Sequence, residues 1–267
     1  KIRGLLVTHG HLDHIGALPY VYQKLGSPHV YSAPLSIGLI KGRFDEFGIN
    51  AESRLHSIDP SGTELTLGAF KITTFRLTHS IPQTMGFAIE TPEGLLVYAT
   101  DWKFDHTPAD GHPADFSELA LLGGRKPLIL FSESTNVEKP GVSISEKEIE
   151  DSLFKIMDQV KGRLLIATFS TLISRIQQVL NTAKKFNRKV AFVGRSMQQS
   201  VEIATSLEAL IIPKDTVVDS REINKIPDDK LVIICTGSQG EDKAALSRIA
   251  VGEHKQVKIK KGDTVVL

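Results

Sequence analysis

The sequence predicts an α/β protein in which two architectures share one chain, and three observations carry that reading. The apolar run Gly4-Leu5-Leu6-Val7 feeds directly into the polar loop Thr8-His9-Gly10-His11-Leu12-Asp13-His14. Between residues 62 and 100 hydrophobic residues recur at a period of two, as in half-buried antiparallel strands. From about residue 126 continuous apolar runs alternate with helical repeats, which predicts a parallel sheet covered on both faces. Residues before about 120 are therefore expected to form antiparallel sheet with flanking helices. Those from about 126 to 250 are expected to form a parallel-rich unit, and the last strand is expected to return to the first unit.

The chain has 267 residues, 41% of them hydrophobic, enough for one large domain or two modest ones with a sizeable core. Its net charge is only +1, from 32 basic against 31 acidic residues. A nucleic-acid partner would therefore be held by a local basic surface and by metal ions, since the overall balance supplies almost no attraction. The single cysteine, Cys235, lies in the apolar run Leu231-Val232-Ile233-Ile234-Cys235 and reads as a buried thiol, which excludes a disulfide scaffold within the chain. There is no signal-peptide pattern and no apolar run of bilayer length, so a cytoplasmic location without membrane attachment is the expectation. Lys1-Ile2-Arg3 runs straight into the first strand, and Asp263-Thr264-Val265-Val266-Leu267 reads as a strand in mid-course. The chain is expected to be a fragment.

The histidine loop is the strongest chemical signal. A strand that ends in a tight polar loop can aim alternate side chains at one point. His9 and His11 are expected to serve one metal ion, and Asp13 and His14 a neighbouring one. Imidazole together with carboxylate suits Zn²⁺, with Mn²⁺ as an alternative. Ile15 to Leu25 then read as helix and His29-Val30-Tyr31 as strand, with His29 structural. Leu35, Leu39, Ile40, Phe44 and Phe47 are spaced for a helix closed by Gly48. His56 reads as a surface residue. The alternating strands that follow deliver His79 after Phe75-Arg76-Leu77-Thr78, and Asp101 after Leu95-Leu96-Val97-Tyr98-Ala99-Thr100. His79 would complete the imidazoles of the first ion, and Asp101 could bridge both ions.

Four apolar strands are read in the second half: 127–131, 164–167, 190–193 and 231–234, each followed by a loop and a helix. The loops are rich in Ser, Thr and Gly and include Arg195. Small polar loops at strand ends leave backbone N–H groups free to hold phosphate. Ordinary helix capping accounts for each loop singly, but less well for Arg195.

His9-Gly10-His11-Leu12-Asp13-His14, with His79 and Asp101 later, resembles the metal motif of the metallo-β-lactamase fold. Ser132-Glu133-Ser134-Thr135-Asn136, Ala167-Thr168-Phe169-Ser170, Ser174-Arg175-Ile176-Gln177-Gln178, Val193-Gly194-Arg195-Ser196-Met197 and Thr236-Gly237-Ser238-Gln239-Gly240-Glu241 resemble the β-CASP portion of the bacterial ribonuclease J family. Leu39-Ile40-Lys41-Gly42, Thr78-His79-Ser80-Ile81-Pro82 and Asp101-Trp102-Lys103-Phe104-Asp105 agree with it.

The resemblance implies an αββα metallo-β-lactamase domain over residues 1–122, an inserted β-CASP domain over 123–258, and a return strand over 259–267. It implies hydrolysis of RNA, both endonucleolytic and from a 5′-monophosphate end, yielding 5′-phosphate and 3′-hydroxyl. Two divalent ions would serve, Zn²⁺ first, with Mn²⁺ or Mg²⁺ as alternatives. Asp13, Asp101 and Glu133 would be the catalytic carboxylates, and Ser170, Arg195, Ser196 and Gly237 would lie near RNA phosphate. The partners implied are single-stranded RNA, a second copy in a homodimer or homotetramer, and an RNA-degradation complex. The sequence departs from the family at Thr100, where glycine is usual. It also lacks the strands before the first motif and two histidines after the point matching Leu267, so an incomplete second metal site is expected. Alternatives that stay open are a DNA- or tRNA-processing nuclease, a thiol-ester hydrolase, and a non-catalytic RNA-binding or structural fragment.

Overall fold

The computed structural model describes residues 2–267. The chain divides into two compact units, Lys1–Ser145 and Glu146–Leu267.

In the first unit, β1 (Leu5–Leu6), β2 (Val30–Ser32) and β3 (Leu55–Ser57) form a three-stranded parallel sheet in that order. Parallel neighbours need crossovers. These are supplied by the short helices α1 (Leu12–Ile15) and α2 (Leu18–Val21), and by α3 (Pro34–Glu46). Pro34 opens α3, where a missing N–H costs nothing and the fixed φ suits the first turn. A second, five-stranded sheet follows. In it β4 (Glu64–Leu67), β5 (Phe70–Arg76), β6 (Met85–Thr91) and β7 (Gly94–Tyr98) run antiparallel. After α4 (Phe116–Gly124), β8 (Ile129–Phe131) is added parallel to β7 at the edge.

The period-two pattern of this second sheet buries both of its faces. Ile72, Met85 and Phe87 form one cluster with Ala33, joined by Leu6 of β1 and Ile58 beyond β3, so this face meets the first sheet. Phe75, Ala88, Leu95 and Val97 form the other, with Leu119 and Leu122 of α4. Two sheets face to face, with α4 on the outside, put the ends of β1, β5 and β7 within reach of one another.

In the second unit, β9 (Leu164–Ala167), β10 (Lys189–Val193), β11 (Leu231–Cys235) and β12 (Thr264–Val266) form a parallel sheet in the order β10-β11-β9-β12. Its helices are α5 (Glu146–Gln159), α6 (Ile173–Lys185), α7 (Arg195–Ser206) and α8 (Ala245–Ala250). Every residue of β9 and β11 is buried, which is why these strands read as unbroken apolar runs. Ile173, Ile176, Leu180 and Ala183, at the spacing of one helix face, form a buried stripe on α6. Cys235 is fully buried, and burial pushes its thiol up to about 12.

Three expectations are corrected. The first unit is not wholly antiparallel, because β1 to β3 are parallel. The apolar run 127–131 does not open the second unit. Its strand β8 completes the first unit's sheet, and its three residues are 44%, 63% and 47% exposed. An unbroken apolar run cannot by itself separate a buried central strand from an edge strand. The run 259–267 does not return to the first unit either. Residues of β12 pair with β9 in the register Thr264↔Leu164, after a turn pinned by Arg163 and Asp263. By contact the chain divides after Ser145.

Candidate metal centre

The centre is built from three strand ends of the first unit. β1 runs out through Val7 into Thr8 and the histidine loop. β5 runs out through Leu77 and Thr78 into His79, and β7 through Ala99 and Thr100 into Asp101. Backbone bonds tie these exits together: Met85 N–H donates to Thr8 O at 3.1 Å, and Lys103 N–H to Thr78 O at 3.0 Å. The histidine loop lies close over α3. A Cβ on Gly10 would come within 2.6 Å of Leu39 Cδ1 and 3.3 Å of the Ser36 Cα, so a side chain there would push the loop off the helix.

His9, His11 and His79 converge. His9 Nε2 and His79 Nε2 each lie 3.1 Å from His11 Nδ1. One imidazole nitrogen cannot satisfy two such neighbours well through a single proton. Bonds of about 2.0–2.1 Å from a tetrahedral zinc place its nitrogen ligands roughly 3.3 Å apart, so the triangle has the size a divalent ion needs. Asp101 Oδ2 stands 3.9 Å from His9 Nε2, 3.8 Å from His79 Nε2 and 3.2 Å from His14 Nε2. The ligand atoms form two groups, His9–His11–His79 and His9–His14–Asp101, with His9 common to both.

The electrostatics favour neutral imidazole, the form that binds metal. His9 is completely buried, and burial first, then His11, His14 and His79, hold its pKa far below the ordinary range. His11 is lowered to about 4 by burial and by His79. Both carry lone pairs at neutral pH. His11 turns its other nitrogen, Nε2, to Ser80 Oγ at 3.4 Å, and His9 turns Nδ1 to Thr8 Oγ1 at 3.1 Å. Such outer contacts fix which nitrogen faces the ion. The residues present therefore fit a divalent metal centre.

Six metal-ligand expectations fell on His9, His11, Asp13, His14, His79 and Asp101, and the structure brings five together. Asp13 is the exception. Its side chain is 76% exposed, with its carboxylate 3.6 Å from His14 Nε2. Successive residues on α1 point about 100° apart, so turning His14 inward turns Asp13 out. Glu133 is not among the converging groups; its Oε2 accepts from Thr135 N–H. It does follow β8, whose pairing to β7 places Phe131 beside Tyr98, and Trp102 Nε1 donates to Ser132 Oγ at 3.0 Å. Asp101 and Glu133 thus leave neighbouring parallel strands. His29, read as structural, and His56, read as surface, meet at 2.7 Å through their ring nitrogens. Thr8 and Ser80, which contact His9 and His11, were not singled out as site residues. Only their place next to ligands marks them.

In the second unit, Ser170, Arg195, Ser196 and Gly237 follow β9, β10 and β11, so their loops lie along the C-terminal edge of one parallel sheet. Arg195 opens α7 after Gly194 at φ 110°, is exposed, and forms no ion pair among the described residues. Thr236 Oγ1 accepts from Ala245 N–H, which closes the Gly237 loop onto α8.

A family profile described as "Beta-lactamase superfamily domain" matches residues 1–122, and one described as "Ribonuclease J, beta-CASP domain" matches residues 161–267. Over its whole length the chain is similar to ribonuclease J 1 of Streptococcus pyogenes, at 41% identity across 47% of that relative. Ribonuclease J of Helicobacter pylori is 38% identical, with 39% of it covered, and that of Thermus thermophilus 39% identical, with 47% covered. A crystal structure of a protein of unknown function from Enterococcus faecalis V583 shares the fold, with a TM-score of 0.61 at 13% identity, over 88% of this chain and 59% of that one. Fold and site together define an α/β protein of the metallo-β-lactamase superfamily carrying a β-CASP unit. More particularly, the chain is homologous to bacterial ribonuclease J, and it spans less than half the length of these curated relatives.

Proposed function

We propose that the chain supplies the metal centre and an RNA-holding surface of a metal-dependent ribonuclease that cuts RNA phosphodiesters from a 5′ end and internally. The observation that carries this is the convergence of His9, His11 and His79, with Asp101 linking them to His14. Homology to ribonuclease J along the whole chain supplies the substrate class.

On this reading His9, His11 and His79 hold one ion, His14 and Asp101 hold a second, and both ions are zinc, with Mn²⁺ or Mg²⁺ as the alternatives. Bound ions of this kind make a water nucleophilic at neutral pH and neutralise charge on phosphate oxygens. The protein's part is positioning. Neutral His9 and His11 present lone pairs inward, and Asp101 orients the two groups about one point. Asp13, exposed at the rim, would accept a proton from the attacking water. Glu133, one strand over from Asp101, would hold the donor that protonates the leaving 3′ oxygen. Ser170, Arg195, Ser196 and the Gly237 backbone hold RNA phosphates along the edge of the second sheet. Single-stranded RNA with a 5′-monophosphate is the preferred substrate. The working protein is a cytoplasmic homodimer or homotetramer within an RNA-degradation complex. No helix among the described residues is long and apolar enough to cross a membrane.

The experiment is incubation of the protein with RNA and DNA of one sequence, with and without a chelator. The reading expects RNA alone to be cut, with 5′-phosphate ends, and the chelator to stop it. Equal cutting of DNA would move the assignment to a DNA-directed nuclease. RNA binding without metal-dependent cutting would favour the reading as an RNA-binding protein.

A further inference from the structure

Thr100 is a β-branched residue at φ 46°, in the left-handed region where such residues are outliers and glycine sits without strain. It is 5% exposed, and its hydroxyl is not idle: Oγ1 lies 2.9 Å from Thr8 Oγ1 across 92 residues of sequence. Thr8, 4% exposed, lies 3.1 Å from His9 Nδ1, and His9 is wholly buried. Two buried hydroxyls and a buried imidazole therefore stand in series behind the nitrogen that faces His11.

The direction of that series matters. A hydroxyl has one proton and two lone pairs. If Thr8 gives its proton to Thr100, its lone pair faces His9 and accepts from Nδ1–H, which leaves His9 Nε2 bare toward the centre. If Thr8 gives its proton to His9 Nδ1, the ring proton moves to Nε2 and closes the ligand position. Among the described residues the Thr8 hydroxyl has these two side-chain partners and no other.

We propose that Thr100 is a positioning residue for the metal centre: by accepting the Thr8 hydroxyl proton it holds His9 in the Nδ1–H tautomer, with Nε2 open to the ion. The proposal rests on the metal-centre reading above. It explains why a strained, buried threonine occupies a position where glycine would cost less.

The test uses four forms of the protein: wild type, Thr100→Val, Thr100→Ser and Thr100→Gly. Two readouts other than activity are taken. Zinc affinity is measured by competition with a chromophoric chelator, and the His9 tautomer by long-range ¹H–¹⁵N correlation in the metal-free protein. Thr100→Val keeps the shape without the hydroxyl; it should weaken zinc binding about tenfold and lower the Nδ1–H fraction of His9. Thr100→Ser should restore both. Thr100→Gly relieves the backbone, so its metal-free melting temperature should hold or rise while its zinc affinity still falls. A purely structural threonine would give affinity and stability moving together.

The proposal is overturned if Thr100→Val binds zinc as wild type does, or leaves the His9 tautomer unchanged. It is also overturned if serine fails to rescue. Should wild type bind no zinc while the tautomer still follows the hydroxyl at position 100, the relay stands and the metal-centre reading falls.

Discussion

Arg163 and Asp263, one hundred residues apart, hold each other through two parallel hydrogen bonds, Nε to Oδ1 at 2.8 Å and Nη2 to Oδ2 at 2.6 Å. The Arg163 side chain is 1% exposed and that of Asp263 4%, so both charges have left water. Arg163 Nη2 also donates to Lys258 O, and Asp263 accepts from Lys260 N–H. The pair fixes the turn from which β12 joins β9, with Thr264 N–H on Arg163 O. Asp263→Ala would strip a buried guanidinium of both hydrogen bonds and leave it only Asp228, at 3.9 Å, as counter-charge, at a cost of about 3 kcal/mol. Urea unfolding of the 146–267 unit should show that loss, and amide exchange should show Val265 and Val266 losing protection first.

The same pair makes stability depend on pH. Arg163 and the Lys260 amide hold the Asp263 carboxyl below its ordinary value, against the opposing effect of burial. A carboxylate whose folded pKa is depressed stabilises the fold above its unfolded pKa, about 3.9, and loses that contribution as pH falls through the folded value. The unfolding midpoint should therefore be insensitive to this group from pH 6 to 8 and drop below about pH 4. Asp263→Asn should flatten the acid limb. An unchanged acid limb would assign it to other carboxylates.

How far the sequence could be read follows from the same residues. The convergence was legible because metal chemistry restricts residue type, and His9, His11, His79 and Asp101 fall at strand ends where few other types would do. The parallel sheet was legible in β9, β10 and β11, which burial keeps apolar apart from Lys189 at the start of β10. The partner of a strand was not. β8 and β12 are set by long-range pairing, and neither apolar content nor period encodes which neighbour a strand will take. The fate of Asp13 was hidden for a related reason, since one turn of α1 decides between His14 and Asp13 facing inward. Arg163 left no local trace either, because its partner is one hundred positions away.

Metal binding should discriminate among the histidine-loop residues. His11→Ala removes one of three imidazoles from the His9–His11–His79 group and leaves His9, His14 and Asp101 in place. Zinc stoichiometry by atomic emission should fall, with the surviving ion bound by the second group. Asp13→Ala should change stoichiometry little, since that side chain is outside both groups. Gly10→Ala should act like a mild ligand loss through the backbone, costing about 1–3 kcal/mol in stability as Leu39 and Ser36 give way. If Asp13→Ala proved as damaging as His11→Ala, Asp13 would have to swing inward when metal binds.

The final prediction concerns Arg195. It stands at the start of α7, exposed and without an ion pair among the described residues. An arginine that served only the fold would be expected to show such a partner, as Arg163 and Arg175 do. Its neighbours along the sheet edge are the loops after β9 and β11, which offer hydroxyls and backbone N–H groups. A guanidinium presents a planar fork that can take two oxygens of one phosphate. Arg195→Ala should weaken RNA binding by about 1.5–3 kcal/mol and leave the melting temperature where it was. The loss should be electrostatic. For single-stranded RNA each neutralised phosphate contributes about −0.7 to the slope of log K against log salt, so the variant's slope should be shallower by about that amount. Fluorescence anisotropy with a 5′-monophosphorylated RNA and its 5′-hydroxyl twin, across a salt series, separates two cases. If the variant loses preference for the monophosphate, Arg195 holds the terminal phosphate; if both RNAs weaken equally, it holds an internal one. A variant with unaltered slope and a lowered melting temperature would make Arg195 a structural residue and place the phosphate contacts elsewhere on the sheet edge.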